Sequence, residues 1–210
     1  LSSVSGATPC YNSVLSAKAT IGDGCYLETS YVHSKATVGE GSLLSYIDIH
    51  DETIPAHVVL HGLKQKDGRF VARIYGVADD PKKNLLFGKE LNLPDIWEDE
   101  DKTLWKAKLY PVCDTIREAV AAALNVYEIA HGGGDWEAWQ KAERKSLCAG
   151  FNDADPDAIL QWDTRMAELV RMDELYRHIR QGRPAREAKA ILGAKQLTKI
   201  QQQWLENQLK

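Results

Sequence analysis

Apolar residues recur at gaps of five and six along the first part of the chain: Leu15, Ile21, Leu27, Val32, Val38, Leu44, Ile49, Ile54 and Leu60. A helix buries every third and fourth residue and a lone strand every second, so neither explains this spacing. A longer repeat runs in phase with it. Ser16-Ala17-Lys18-Ala19-Thr20-Ile21-Gly22-Asp23-Gly24 returns 17 residues later as His33-Ser34-Lys35-Ala36-Thr37-Val38-Gly39-Glu40-Gly41, and Thr53-Ile54-Pro55-Ala56 is a weaker third copy offset by 16. Three gaps close one coil. The chain is therefore expected to wind as a triangular prism, with one apolar residue per face turned inward. Stacked coils then pair as parallel strands about 4.8 Å apart. Glycine follows Ile21 and Val38, at corners where a Cβ would be costly. This is the hexapeptide-repeat pattern, which is left-handed in the proteins known to carry it. The predicted fold class is β-helix plus α: a short left-handed parallel β-helix over residues 1–62, capped by a hairpin and followed by a helical bundle.

A coil cannot bury its apolar face alone, and about three are needed for stability. The repeats supply barely three, so a cap is expected. Val58-Val59-Leu60 and Phe70-Val71-Ala72-Arg73-Ile74-Tyr75 are β-prone and flank a Lys66-Asp67-Gly68 turn. They predict a hairpin sealing one end, within a capping and connecting segment over residues 63–112. The acidic stretch 95–101 (DIWEDED) reads as a loop or an exposed first turn. Residues 113–210 read as helical. Ile116, Val120, Ala123, Leu124 and Tyr127 fall at helical spacing. Gly132-Gly133-Gly134 ends that helix, and Asp135 caps the next, which carries Trp136 and Trp139. Asp155-Pro156 starts another, with the stripe Ile159, Trp162, Met166, Leu169, Tyr176 and Ile179. Gly182, Pro184 and Gly193 punctuate the remainder, where Leu197, Ile200 and Trp204 face inward. Short links between amphipathic helices suggest a small bundle.

Composition removes several classes of function. The hydrophobic fraction of 44% is that of a globular protein. No apolar run approaches the roughly 18 residues needed to span a bilayer, so no membrane role is expected. The net charge of −4 argues against a nucleic-acid partner. Arg177, Arg180, Arg183 and Arg186 recur every third residue and read as a solvated helix face. Cys10, Cys25, Cys113 and Cys148 form no CxxC pair, which fits reduced thiols in a cytoplasmic protein. The chain opens Leu1-Ser2-Ser3 and its methionines are Met166 and Met172, as expected of a piece of a longer protein.

Three features carry candidate chemistry. The triple glycine precedes a helix N-terminus, but no Lys-Ser/Thr pair follows, so an interhelical turn is the simpler account. His33 and His50 occupy equivalent positions in successive coils. A histidine base is known on this kind of prism, but it would need an acceptor-site loop and several more coils, so the pair reads as structural. The third feature is Arg73-Ile74-Tyr75-Gly76-Val77-Ala78-Asp79-Asp80-Pro81-Lys82-Lys83, a strand entering a charged turn. Two carboxylates beside two lysines can hold a sugar hydroxyl, a phosphate or a metal; they are also ordinary turn chemistry.

Three stretches resemble a known family in order. They are VARIYGVADDPKKNLLFGKEL (71–91), TLWKAKLYPV (103–112) and SLCAGFNDADPDAILQW (146–162). Together they look like the middle region of L-fucokinase and of the bifunctional L-fucokinase/fucose-1-phosphate guanylyltransferase enzymes, over about residues 54–162. Leu104-Trp105-Lys106-Ala107-Lys108-Leu109-Tyr110-Pro111 is similar to that family's leucine-tryptophan-aromatic-proline signature. The resemblance implies a region joining a nucleotidyltransferase-like domain to a galactokinase-type kinase. The parent would phosphorylate L-fucose at its anomeric carbon with ATP and form GDP-fucose, using ATP and/or GTP with Mg. This piece shows neither the glycine-rich triphosphate loop of the first domain nor the glycine/serine-rich loop of the second. No catalytic residue and no cofactor of its own is therefore carried over.

Two functions follow. One is a connector and scaffold in a fucose-salvage enzyme, whose partners are the flanking catalytic domains and a sugar phosphate or nucleotide sugar. There Arg73, Asp79, Asp80 and Lys82 would contact the substrate or the neighbouring domain. The alternative is a self-contained hexapeptide-repeat transferase, which the small number of coils disfavours.

Overall fold

The computed structural model describes residues 3–4, 8–11, 13–98 and 100–157. The helix stripe expected from Ile159 onward and the arginine row at 177–186 lie outside the described residues, as does the rest of the expected bundle beyond residue 157.

Eleven short strands carry the chain through three coils and into a fourth. Coil one holds β1 (Ser3–Val4), β2 (Cys10–Tyr11) and β3 (Val14–Leu15). Coil two holds β4 (Thr20–Ile21), β5 (Tyr26–Glu28) and β6 (Tyr31–Val32), and coil three holds β7 (Thr37–Val38), β8 (Leu43–Ser45) and β9 (Asp48–Ile49). β10 (Thr53–Ile54) and β11 (Val58–Lys64) begin the fourth. Pairing between coils is parallel and follows the sequence repeat. Ile21 faces Val38, Leu27 faces Leu44 and Val32 faces Ile49, while Val38 faces Ile54 and Leu44 faces Leu60 at the shorter offset. All of these residues are buried, and Leu15 is half-buried at the end of the column. Each burial is worth about 1.5–3 kcal/mol, which is what offsets the ordering of so short a strand.

The glycines after Ile21 and Val38 are needed for closeness rather than for an unusual backbone angle. A Cβ on Gly22 would stand 2.5 Å from the Glu40 amide nitrogen, and one on Gly39 would stand 2.4 Å from that of Ala56. The single residue lost from the repeat is lost at the corner between Ile49 and Ile54. There the Glu52 carboxylate accepts the His50 and Asp51 amides at 2.7 and 3.1 Å.

The expected hairpin forms and continues one face of the prism. β11 pairs parallel with β8 on one edge and antiparallel with β12 (Phe70–Gly76) on the other, so prism and hairpin share a strand. β15 (Tyr110–Cys113) and β16 (Arg144–Lys145) extend the same sheet, giving the order β16-β15-β12-β11-β8-β5-β2. Between β12 and β15 lies a small hairpin, β13 (Leu85–Leu86) and β14 (Lys89–Glu90). The described residues of the acidic stretch after it are irregular, as expected, and are anchored by the buried Ile96.

Helix α1 (Ile116–Ala130) packs against β11, β12 and β15. Thr115 and Glu118 cap it reciprocally. Ala119, Val120, Ala123, Val126 and Ile129 join the same core as the prism column. Gly62 makes room for it, since a Cβ there would stand 2.7 Å from Ile116 Cδ1. The triple glycine is an interhelical turn pinned by Asn125, which accepts from the Asp135 amide at 2.6 Å and donates to the Asp135 carbonyl at 3.0 Å. Asp135 then caps α2 (Trp136–Lys141), in which Trp139 is buried and donates to the Leu109 carbonyl. Helix α3 (Leu147–Asn152), capped by Ser146, was not foreseen. It lies on the sheet face opposite α1, because Arg73 and Gln65 reach it while neighbouring Gly62 faces α1. Among the described residues no helix is long and apolar enough to cross a membrane.

Candidate functional site

The charged turn after β12 is built around one carboxylate. Asp79 Oδ2 accepts the amides of Gly76 and Phe87, each at 2.7 Å, and Oδ1 accepts that of Gly88 at 3.0 Å. Gly76 allows the approach, since a Cβ there would meet Asp79 Oδ2 at 2.9 Å. Asp79 therefore ties the end of β12 to the tip of the β13–β14 hairpin. Asp80 makes a local turn, accepting the Lys82 amide at 3.0 Å ahead of Pro81. Two backbone bonds join this turn to the leucine-tryptophan signature: the Leu104 amide donates to the Lys83 carbonyl at 2.8 Å and the Trp105 amide to the Pro81 carbonyl at 2.9 Å. The charged turn and the leucine-tryptophan signature are thus in direct contact.

Beside the turn is a cleft of about 580 Å³. Its floor is Val58 at the start of β11 and His57 in the turn before it, and one wall is the charged turn, with Asp79, Asp80 and Lys83. The other wall is aromatic. Phe87 meets Tyr127 of α1 edge-on at 4.9 Å, and Tyr127 lies 4.2 Å from His131. Carboxylate, ammonium, imidazole and aromatic faces around one space can hold a polar ligand with an apolar side.

The structure separates the four residues singled out from the sequence. Asp79 and Asp80 line the cleft; Asp80 and Lys82 are exposed, and it is Lys83 rather than Lys82 that forms part of the wall. Arg73 lies elsewhere. Its register partner is His61, which puts it on the face covered by α3. There it is buried, with one arm donating to the Leu147 carbonyl at 3.1 Å and another against His61 Nδ1. Its Nε has no partner. Burial, with the Arg73 charge beside it, pushes the His61 pKa down to about 3 and so keeps this imidazole neutral, as an acceptor for the guanidinium. Burial also lowers the Arg73 pKa. Tyr110, fully buried, donates to the Ile74 carbonyl at 2.7 Å and its pKa is raised by desolvation.

The aromatic wall went unrecognised in the sequence. The signal was available in Leu85-Leu86-Phe87-Gly88-Lys89, an apolar pair and a glycine turn, with Tyr127 and His131 four apart on a helix. His33 and His50 do stack, with ring centroids 3.8 Å apart and planes 19° apart.

Comparison with known proteins adds one finding. The family model of the fucose pyrophosphorylase domain matches residues 2–115, from the first coil to the N-cap of α1. No curated protein and no solved structure matches the chain.

Proposed function

We propose, from the premise that this chain belongs to the fucose pyrophosphorylase domain family and so has a role in fucose salvage, that it is the connecting and scaffolding region of an enzyme making fucose-1-phosphate, GDP-fucose or both. In that enzyme it joins a nucleotidyltransferase domain to a kinase domain in the cytoplasm. ATP and/or GTP with Mg²⁺ belong to those flanking domains. The partners of this chain are the domains themselves and a sugar phosphate or nucleotide sugar, with no part for nucleic acid or membrane. The expected divisions at 1–62, 63–112 and 113–210 fall inside β11 (Val58–Lys64) and β15 (Tyr110–Cys113), so prism, hairpin and α1 act as one support, and the last division runs beyond the described residues.

The observation that carries this proposal is the reach of the family match. It covers the whole run of coils and the sheet that continues them through β15. The charged turn is the contact point. Asp80 and Lys82 are its presented groups, Asp79 holds its shape, and Arg73 braces the sheet behind it.

Two measurements test this. The purified chain, given fucose-1-phosphate and GTP or fucose and ATP, should show no turnover. Turnover by a clean preparation would favour a self-contained hexapeptide-repeat transferase instead. Asp80→Asn, placed in the enzyme that contains both catalytic domains, should weaken binding or turnover about ten- to a hundredfold, the worth of one charge-assisted hydrogen bond. Its melting temperature should not change. Unaltered kinetics in both half-reactions would reduce the turn to a loop.

A further inference from the structure

We propose that His33, Asp48 and His50 form a site for one divalent transition-metal ion of the Zn²⁺ type on the β3-β6-β9 face of the prism. The placement follows from strand geometry. Asp48 and His50 flank the inward Ile49, so both point outward from coil three. Tyr31 pairs with Asp48 and Val32 with Ile49, which sets His33 of coil two opposite His50. Three side chains from two coils therefore meet on one surface.

The ligand atoms already stand close to the spacing an ion needs. Metal–ligand bonds of 2.0–2.1 Å in a tetrahedral site hold neighbouring donor atoms about 3.3 Å apart. His33 Nε2 lies 2.7 Å from Asp48 Oδ1, and His50 Nε2 lies 3.4 Å from Asp48 Oδ2. All three donors fall within 4.8 Å of one another. The two rings are stacked, so each must swing about its Cβ–Cγ bond to aim its lone pair at a shared ion. Both side chains reach solvent, His33 at 27% and His50 at 34% exposure, so the rings can turn while the paired backbone stays in place. Tyr31, 3.9 Å from the His33 ring, forms a wall on one side. Asp51 and Glu52 add negative charge at the adjoining corner, while Arg117 lies 3.4 Å from Asp51. Two imidazoles and one carboxylate suit Zn²⁺, Co²⁺ or Ni²⁺ better than the all-oxygen preference of Ca²⁺ or Mg²⁺. Three protein ligands leave a fourth position for water. The bound ion would fasten coil two to coil three.

Cobalt is a suitable probe, because four-coordinate Co²⁺ absorbs strongly in the visible. The 210-residue chain, titrated with Co²⁺, should develop that band at a single equivalent, lose it to added Zn²⁺, and melt at a higher temperature when loaded. Outer-shell partners of metal sites are worth about 10–100-fold in affinity, so removing a ligand should cost more than about a hundredfold. Asp48→Asn and His50→Gln should each show that loss, and His57→Gln should titrate like the parent. Melting curves of the metal-free variants separate loss of a ligand from loss of fold, and His33→Gln provides a third removal. Absence of the band in the parent, or a band unchanged in a folded Asp48→Asn, would overturn the site.

Discussion

Val38→Asp should leave the chain without a cooperative melting transition. Val38 is 1% exposed, with Ile21 on the coil below and Ile54 on the coil above in register. Both of these register neighbours are aliphatic and offer a carboxylate no hydrogen bond. An unpaired carboxylate there costs at least several kcal/mol, while a whole domain is stable by only about 5–15 kcal/mol. Circular dichroism on heating is the measurement. Lys35→Asp, on the exposed corner of the same coil, is the control and should stay within about 0.5 kcal/mol of the parent. A Val38→Asp protein that melted like the parent would mean this residue is not inside a prism.

Asp79→Ala should destabilise the segment between β12 and the β13–β14 hairpin by about 2–3 kcal/mol. Three amides lose their acceptor together. The figure is kept low because Gly88 is exposed, so water can replace one bond. Hydrogen exchange should show the site of damage: the Phe87 and Gly88 amides should become fast while those of β8 and β11 stay protected. Asp80→Asn should leave both exchange and melting as they were. If the two substitutions exchanged these outcomes, the division between a carboxylate that shapes the turn and one that is presented by it would be wrong.

The prism was readable because its burial period is written in the residues that are buried: Ile21, Leu27 and Val32 can be matched to Val38, Leu44 and Ile49 without knowing the fold. Coil one was harder to see. Val4 and Leu15 stand in register with Ile21 and Val32, but the position opposite Leu27 is Cys10, which breaks the row of large apolar residues. β15 and β16 were missed because their partners are far along the chain; Val71 pairs with Val112, and Pro111 with Arg144. A short strand has little pattern of its own. At the turn, sequence neighbourhood misled. Arg73 and Asp79 are six residues apart, but strand alternation and the pairing with His61 place Arg73 under α3. Asp79 could not be recognised as the centre of the turn, since two of its three donors come eight and nine residues later. The histidine pair was visible because both members hold the same repeat position. Asp48 was not, because its counterpart one coil earlier is Tyr31.

The seven-stranded sheet that begins in coil one and ends at β16 has a mechanical meaning. Its strands are joined edge to edge by backbone hydrogen bonds, first parallel and then antiparallel, without a gap. Sliding β12, β15 or β16 relative to the coils requires rupturing at least one of those ladders, and a set of paired bonds yields together rather than one at a time. Among the described residues the coils and the hairpin that caps them therefore share one unbroken ladder, with β11 belonging to both. A load on the end of β12, where the Asp79 carboxylate is tied, is therefore passed to the coils through the β11–β12 and β8–β11 ladders rather than through side-chain contacts alone.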